Sequence, residues 1–122
     1  MKKKPKTILI VDDNQDILEA LELVLSMEGY QVVRASNQQQ VEAQIKAAAP
    51  SLIMMDVLLS GQDGRNIAHA LKSSKEAHKI PIIMMSAHPD VARSIKESGA
   101  DDFIPKPFKM EDLLAKLESY LK

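Results

Sequence analysis

Two hydrophobic periods alternate along the chain. Short β-rich runs occupy Thr7–Val11, Gln31–Ala35, Leu52–Met55, Ile82–Met85 and Asp102–Ile104, and a segment with helical spacing follows each. The clearest helix is the last, where Met110, Leu113, Leu114, Leu117 and Leu121 line one side and Lys and Glu the other. The first, about Gln15 to Glu28, gathers Ile17, Leu18, Leu21 and Leu25 on one face and stops at Gly29. Val41, Ile45 and Ala48 mark a more polar second helix closed by Pro50, and weaker patterns predict helices over about Gly64–Ser74 and Val91–Ser98.

Five strands alternating with five helices predict an α/β domain, a parallel sheet with helices on both faces. Central parallel strands are buried on both sides and therefore read as unbroken apolar runs. "LIMM" at 52–55 and "IIMM" at 82–85 fit two such neighbours, with Met as core filler. A length of 122 residues suits one domain over 1–122, with residues 1–6 as a basic lead-in.

Composition removes several functions. Lys+Arg 16 against Asp+Glu 17 gives no basic footprint for nucleic acid, and 3% aromatics leave little to stack on bases. With no cysteine, disulfides, thiol catalysis and thiolate metal sites are excluded. No apolar run approaches the roughly 18 to 20 residues of a membrane helix. Ile8–Val11 is too short for a signal-peptide core and runs into two acids, so a cytoplasmic protein is expected.

In an open parallel sheet, ligands bind beyond the carboxyl ends of the strands. Those ends carry Asp12 and Asp13 after the first strand, Asp56 after the third, Ser86 after the fourth, and Pro105-Lys106-Pro107 after the fifth. Strand two ends in uncharged "ASNQQQ". Three carboxylates on one rim repel one another unless a proton or a cation relieves them. Oxygen ligands without His or Cys favour Mg²⁺, and Lys106 adds a fixed positive charge. Such a set suits the oxygens of a phosphoryl group, with Asp56 as nucleophile, Asp12 and Asp13 on the metal, and Ser86 as hydrogen-bond donor. Asp63, Asp90 and Asp101 read as caps or turn formers, and Asp16 as support for the first helix. His69, His78 and His88 lack metal-ligand spacing.

The chain resembles the receiver domain of two-component response regulators over essentially its whole length. The features are "ILIVDDNQDI", "LIMMD", "GQDGRNIAHALK", "IPIIMMSA" and "GADDFIPKPF", spaced about 43 residues from Asp13 to Asp56, 30 to Ser86 and 50 from Asp56 to Lys106. The resemblance implies the flavodoxin-like strand order 2-1-3-4-5. It further implies that a sensor histidine kinase or histidine phosphotransfer protein donates its phosphoryl group to Asp56, making this a signalling domain and not an enzyme. Mg²⁺ would be held by Asp13, Asp56, Asp12 through water, and the backbone carbonyl of Leu58. Ser86, the Ala87 amide and Lys106 would bind the phosphoryl oxygens, with a cis Lys106-Pro107 bond aiming the lysine. Ser86 and Phe103 would form the switch, although Phe103 could equally be plain core. Leu58 can neither donate to nor orient a water, which implies a phosphoryl state that is not especially short-lived.

Two α/β alternatives fit less well. A haloacid-dehalogenase-like phosphatase wants a second acid two residues after the nucleophile, where Leu58 stands. A flavin module needs a Ser/Thr-rich loop where this chain has "DDNQD". Downstream, a stand-alone receiver and the N-terminal domain of a longer regulator with DNA-binding or enzymatic output are both open. The resemblance places partner binding or a phosphorylation-dependent dimer on the face of the fourth helix, fifth strand and fifth helix, decorated by Arg93, Lys96, Lys109 and Lys116.

Overall fold

A computed structural model describes residues 5–59, 61–88 and 92–121. Strand β1 (Thr7–Val11) leads into α1 (Gln15–Met27), β2 (Gln31–Ala35) and α2 (Gln38–Ala48). Then come β3 (Leu52–Asp56), a hairpin of β4 (Leu58–Leu59) and β5 (Gln62–Asp63), and α3 (Gly64–Lys72). The chain continues through β6 (Ile82–Ser86), α4 (Ala92–Glu97), β7 (Asp102–Pro105) and α5 (Met110–Leu121). The main sheet has the order β2-β1-β3-β6-β7, with every pairing parallel. Leaving aside the hairpin, this is the expected 2-1-3-4-5 arrangement.

The unbroken apolar runs follow from burial on both faces. Successive side chains of a strand point to opposite sides. Leu9, Val11, Ile53, Met55, Ile82 and Met84 therefore join Val41, Ile45, Ile67, Leu71 and Ile95 of α2, α3 and α4. Their alternates Ile8, Ile10, Leu52, Met54, Ile83 and Met85 pack on the other side against Leu18, Leu21 and Leu25 of α1 and Leu113 and Leu117 of α5. All four residues of each Met-rich run have no exposed surface. Burying each such side chain contributes about 1.5–3 kcal/mol, which fixes the sheet as a rigid base for its carboxyl rim.

Local signals set the helix ends. Asn14 caps α1, accepting from the Asp16 and Ile17 amides, and Asn37 caps α2 through the Gln40 amide. Asp16 lies in the first turn of α1, as expected. Gly29, at φ +92°, follows the α1 C-cap in a conformation that costs glycine little. Strands β3, β6 and β7 each run one residue further than their apolar pattern, taking in Asp56, Ser86 and Pro105. Helix α3 ends two residues early, with Ser73 as its C-cap. Of the fourth helix, expected over Val91–Ser98, Val91 lies outside the described residues, as does Asp90, and Ser98 falls beyond Glu97.

Candidate phosphoacceptor site

The main-sheet register delivers the site. Val11 pairs with Met55 and Asp56 with Met85, so the ends of β1, β3 and β6 lie side by side. The ladder also aligns Ser86 with Pro105, one residue before Lys106. Carboxylate oxygens of Asp12, Asp13 and Asp56 lie within 4.8 Å of one another. Asp12 is buried, Asp56 half-buried and Asp13 exposed, so the cluster opens outward from a dry floor. Lys106 reaches in from the far strand, its Nζ 3.5 Å from Asp12 Oδ2 and 3.4 Å from Asp56 Oδ1. The Lys106-Pro107 peptide is cis.

The electrostatics are those of a crowded acidic site. Burial pushes the Asp56 carboxyl above the ordinary carboxylate range; Lys106 opposes that shift and the charge of Asp12 adds to it. Asp12 Oδ1 accepts from the Asn14 amide at 3.0 Å, whereas among the described residues its buried Oδ2 has no hydrogen bond and meets the lysine ammonium at 3.5 Å. A buried carboxylate oxygen without a hydrogen bond is costly. A hard cation or its water shell fits that vacancy in the donor set, and three oxygens without nitrogen or sulfur match Mg²⁺.

Ser86 is 2% exposed, and its Oγ accepts from the His88 amide at 3.0 Å. Ala87 and His88 are exposed beside it. Phe103 is half-buried and packs against the α2/α3/α4 core. It also lines a cleft of ≈ 270 Å³ with Ala92, Ile95, Lys96 and Ala100. Leu58 is 56% exposed.

Several contributions to the site have no sequence periodicity. Leu58 sits in the β4–β5 hairpin opposite Asp63, not in an irregular loop. The Gly64 amide donates to the Val57 carbonyl at 2.7 Å, and a Cβ on Gly64 would stand 2.3 Å from the Asp56 carbonyl oxygen. Glycine lets α3 begin directly against the acceptor strand. The doublet of Gly61 and Gly64 around "QD" was the one available sequence signal. Asp63 caps α3 as expected, but it also holds Arg65. Asp101 does more than shape a turn: it accepts from the Ile82 amide at 2.8 Å and pairs with Lys72 at 2.6 Å. Of the four basic residues placed on the partner face, Lys116 is engaged by Asp102 at 3.0 Å and Arg93 by Glu97 at 3.4 Å. Lys96 and Lys109 are exposed.

Comparison with known proteins agrees with this geometry. The chain is 42% identical over 119 residues to the phosphate regulon transcriptional regulatory protein PhoB of Pseudomonas aeruginosa, covering 96% of this chain and 52% of that protein. It spans about half the length of the curated relatives it matches. The solved receiver domain of NtrX from Brucella abortus superposes with a TM-score of 0.84 at 36% identity, covering 93% of this chain and 97% of that one. Chemotaxis response regulator CheY4 of Vibrio cholerae gives a TM-score of 0.87 at 26% identity over 95% and 98%. Among the described residues, no helix is long and apolar enough to cross a membrane. Residues 8–118 match the response regulator receiver domain, and the chain belongs to that family of two-component signalling domains.

Proposed function

We propose that Asp56 is the phosphoacceptor, taking a phosphoryl group from a phosphohistidine of a sensor kinase or phosphotransfer protein. An Asp56 carboxylate oxygen forms the new O–P bond as the N–P bond breaks, and the histidine nitrogen keeps the electron pair. The observation that carries this reading is the half-buried Asp56 beside an orphaned Asp12 oxygen and within reach of Lys106. Asp12, Asp13, Asp56 and the Leu58 carbonyl are the residues that would hold Mg²⁺. The ion would supply neutralisation of charge on the phosphoryl oxygens.

The chain's own groups do the rest. Lys106 holds the Asp56 carboxylate in place and offers its ammonium to the incoming oxygens. The Ala87 amide and the Ser86 hydroxyl donate to the phosphoryl group, Ser86 exchanging its present His88 contact for it. That exchange draws Ser86 toward Asp56 and leaves room for Phe103 to turn inward, a two-state equilibrium biased by contacts only one state makes. The only chemistry catalysed is the domain's own phosphorylation and dephosphorylation, in the cytoplasm.

The downstream reading rests on the relatives. Several are named transcriptional regulators and are about twice this length. We therefore read the output as transcriptional through an attached domain, with α4, β7 and α5 forming the switched partner or dimer face. Incubation with Mg²⁺ and a small acyl phosphate, followed by intact mass measurement, tests the acceptor. One added phosphoryl group is expected, absent in Asp56→Asn and in EDTA; unchanged labelling of Asp56→Asn overturns the assignment.

A further inference from the structure

The α3 N-terminus carries an arginine whose contacts the phosphoacceptor chemistry does not use. Arg65 is gripped by Asp63: its Nε lies 2.9 and 3.1 Å from the two carboxylate oxygens, and Nη2 closes the ion pair. Its backbone amide also donates to Asp63 Oδ1 at 2.9 Å, the cap of α3. The remaining arm, Nη1, crosses to α4 and donates to Ser94 Oγ at 2.8 Å. One planar guanidinium thus spans two elements, a geometry that a lysine's single ammonium cannot reproduce.

Both ends of that span matter. Asp63 pairs with Leu58 in the hairpin, and the Gly64 amide holds the Val57 carbonyl, so Asp63 fixes the segment immediately after Asp56. At the other end, α4 has only six residues, and its Ile95 and Ala92 line the cleft beside Phe103. Asp63 and Arg65 are partly buried, so water and salt screen their ion pair less than one on the open surface.

We propose that Arg65 is a positioning residue that orients the Leu58 carbonyl through Asp63 and ties the metal-binding loop to α4 through Ser94. This rests on the acceptor-site reading above and adds a route to α4 separate from Ser86 and Phe103. A displacement of the hairpin when its carbonyl is engaged moves Asp63, hence the guanidinium, hence Ser94. Conversely, the position of α4 biases the loop, because coupling between sites is reciprocal.

Titration of the ¹⁵N-labelled full chain with Mg²⁺ alone, followed by amide NMR, tests this, using wild type, Arg65→Lys, Arg65→Ala, Ser94→Ala and the Arg65→Ala/Ser94→Ala double variant. In wild type, the Ile95 and Lys96 amides are expected to shift with the same Kd as those of Leu58 and Asp63. Ser94→Ala is expected to keep that Kd while losing most of the α4 shift. Arg65→Ala and Arg65→Lys lose it too and bind Mg²⁺ about tenfold more weakly, the lower end for residues that orient metal ligands. The double variant behaves as Arg65→Ala alone, because the two side chains act as one link. A full α4 response in both single alanine variants overturns the proposal while leaving the acceptor site standing. Absence of any Mg²⁺-dependent shift at Asp12, Asp13 and Asp56 in wild type overturns the metal site itself, and the coupling with it.

Discussion

The Nζ of Lys106 lies 3.4 Å from Oδ1 of Asp56, although Lys106 follows β7 and Asp56 ends β3, two strands that do not pair. Strand β6 stands between them, and the lysine reaches across its carboxyl end. At that distance this is an ion pair without a short hydrogen bond, and Asp12 claims the same ammonium at 3.5 Å. Lys106 is thus shared by two carboxylates, and Asp13 brings a third to the same cluster.

Clustered carboxylates repel one another, and a bound cation relieves that repulsion. Mg²⁺ at a hundred times its Kd is expected to stabilise the fold by about 2.7 kcal/mol through mass action alone, a rise in Tm of roughly 10 °C for a chain of this size. Thermal melts with and without Mg²⁺ measure it. Asp12→Asn and Asp13→Asn should each lose most of the increment, and an undiminished Mg²⁺ effect in both would remove these residues from the metal site.

Gly64 makes a sharper steric prediction. Besides the Asp56 carbonyl, an added Cβ would meet Met84 Cε at 3.0 Å and Val57 Cα at 3.2 Å. Because two of these neighbours are backbone, the start of α3 must move, and Gly64→Ala should cost about 3 kcal/mol. It should also slow phosphoryl labelling, since the shift is delivered to Asp56 itself. Gly29→Ala is the control: it has open space but φ +92°, and should cost only about 1 kcal/mol without touching labelling. Chemical denaturation of the two variants, with labelling rates alongside, separates the effects.

These contrasts also show what could be read from the chain. "LIMM" and "IIMM" were legible as central strands because burial on both faces forces an unbroken apolar run, whatever packs above. The rim acids were legible because strand ends share one edge in a parallel sheet. The hairpin at 58–63 was not: two strands of two residues are shorter than any period. The reason for Gly64 is a tertiary approach of α3 to β3, and the Arg65–Ser94 bond joins residues far apart in sequence. Asp101 looked like a turn former because nothing local reveals that Lys72 folds back to meet it. Pattern reports burial and chain reversal; it does not report which polar side chains meet across elements.

The Asp102 carboxylate offers a pH test away from the acidic cluster. Burial raises its pKa, but donation from the Phe103 amide, Lys116 and Tyr120 outweighs this and leaves it below the ordinary carboxylate value of 3.8. A depressed folded pKa contributes stability that is present above the unfolded value and lost as pH falls through the folded one. Asp102→Asn should therefore be less stable than wild type at pH 6, with the gap closing progressively below about pH 4. Denaturant midpoints across pH 2 to 6, a range bracketing the unperturbed carboxylates, give the answer. A gap that stays constant with pH would mean that shape, not charge, is what Asp102 supplies.

The proposed switch can be tested directly because the chain has only two phenylalanines. Phe103 packs on the α2/α3/α4 side of the sheet and Phe108 on the α1/α5 side, so fluorophenylalanine labelling gives one reporter and one internal reference. Adding Mg²⁺ and a small acyl phosphate should shift the Phe103 ¹⁹F resonance and leave that of Phe108 nearly fixed. Ser86→Ala removes the hydroxyl that now accepts from His88 but leaves Asp56, Asp12, Asp13 and Lys106 untouched. It should still take up a phosphoryl group by mass, yet hold Phe103 closer to its unphosphorylated shift, since only the Ala87 amide is then left to draw the end of β6 toward the acceptor. If Phe103 shifts fully in phosphorylated Ser86→Ala, the serine is not the trigger. If Phe103 does not respond even in phosphorylated wild type, the aromatic is core packing and the signal leaves the site by another path, for which the Arg65 link to α4 is the route with contacts already in place.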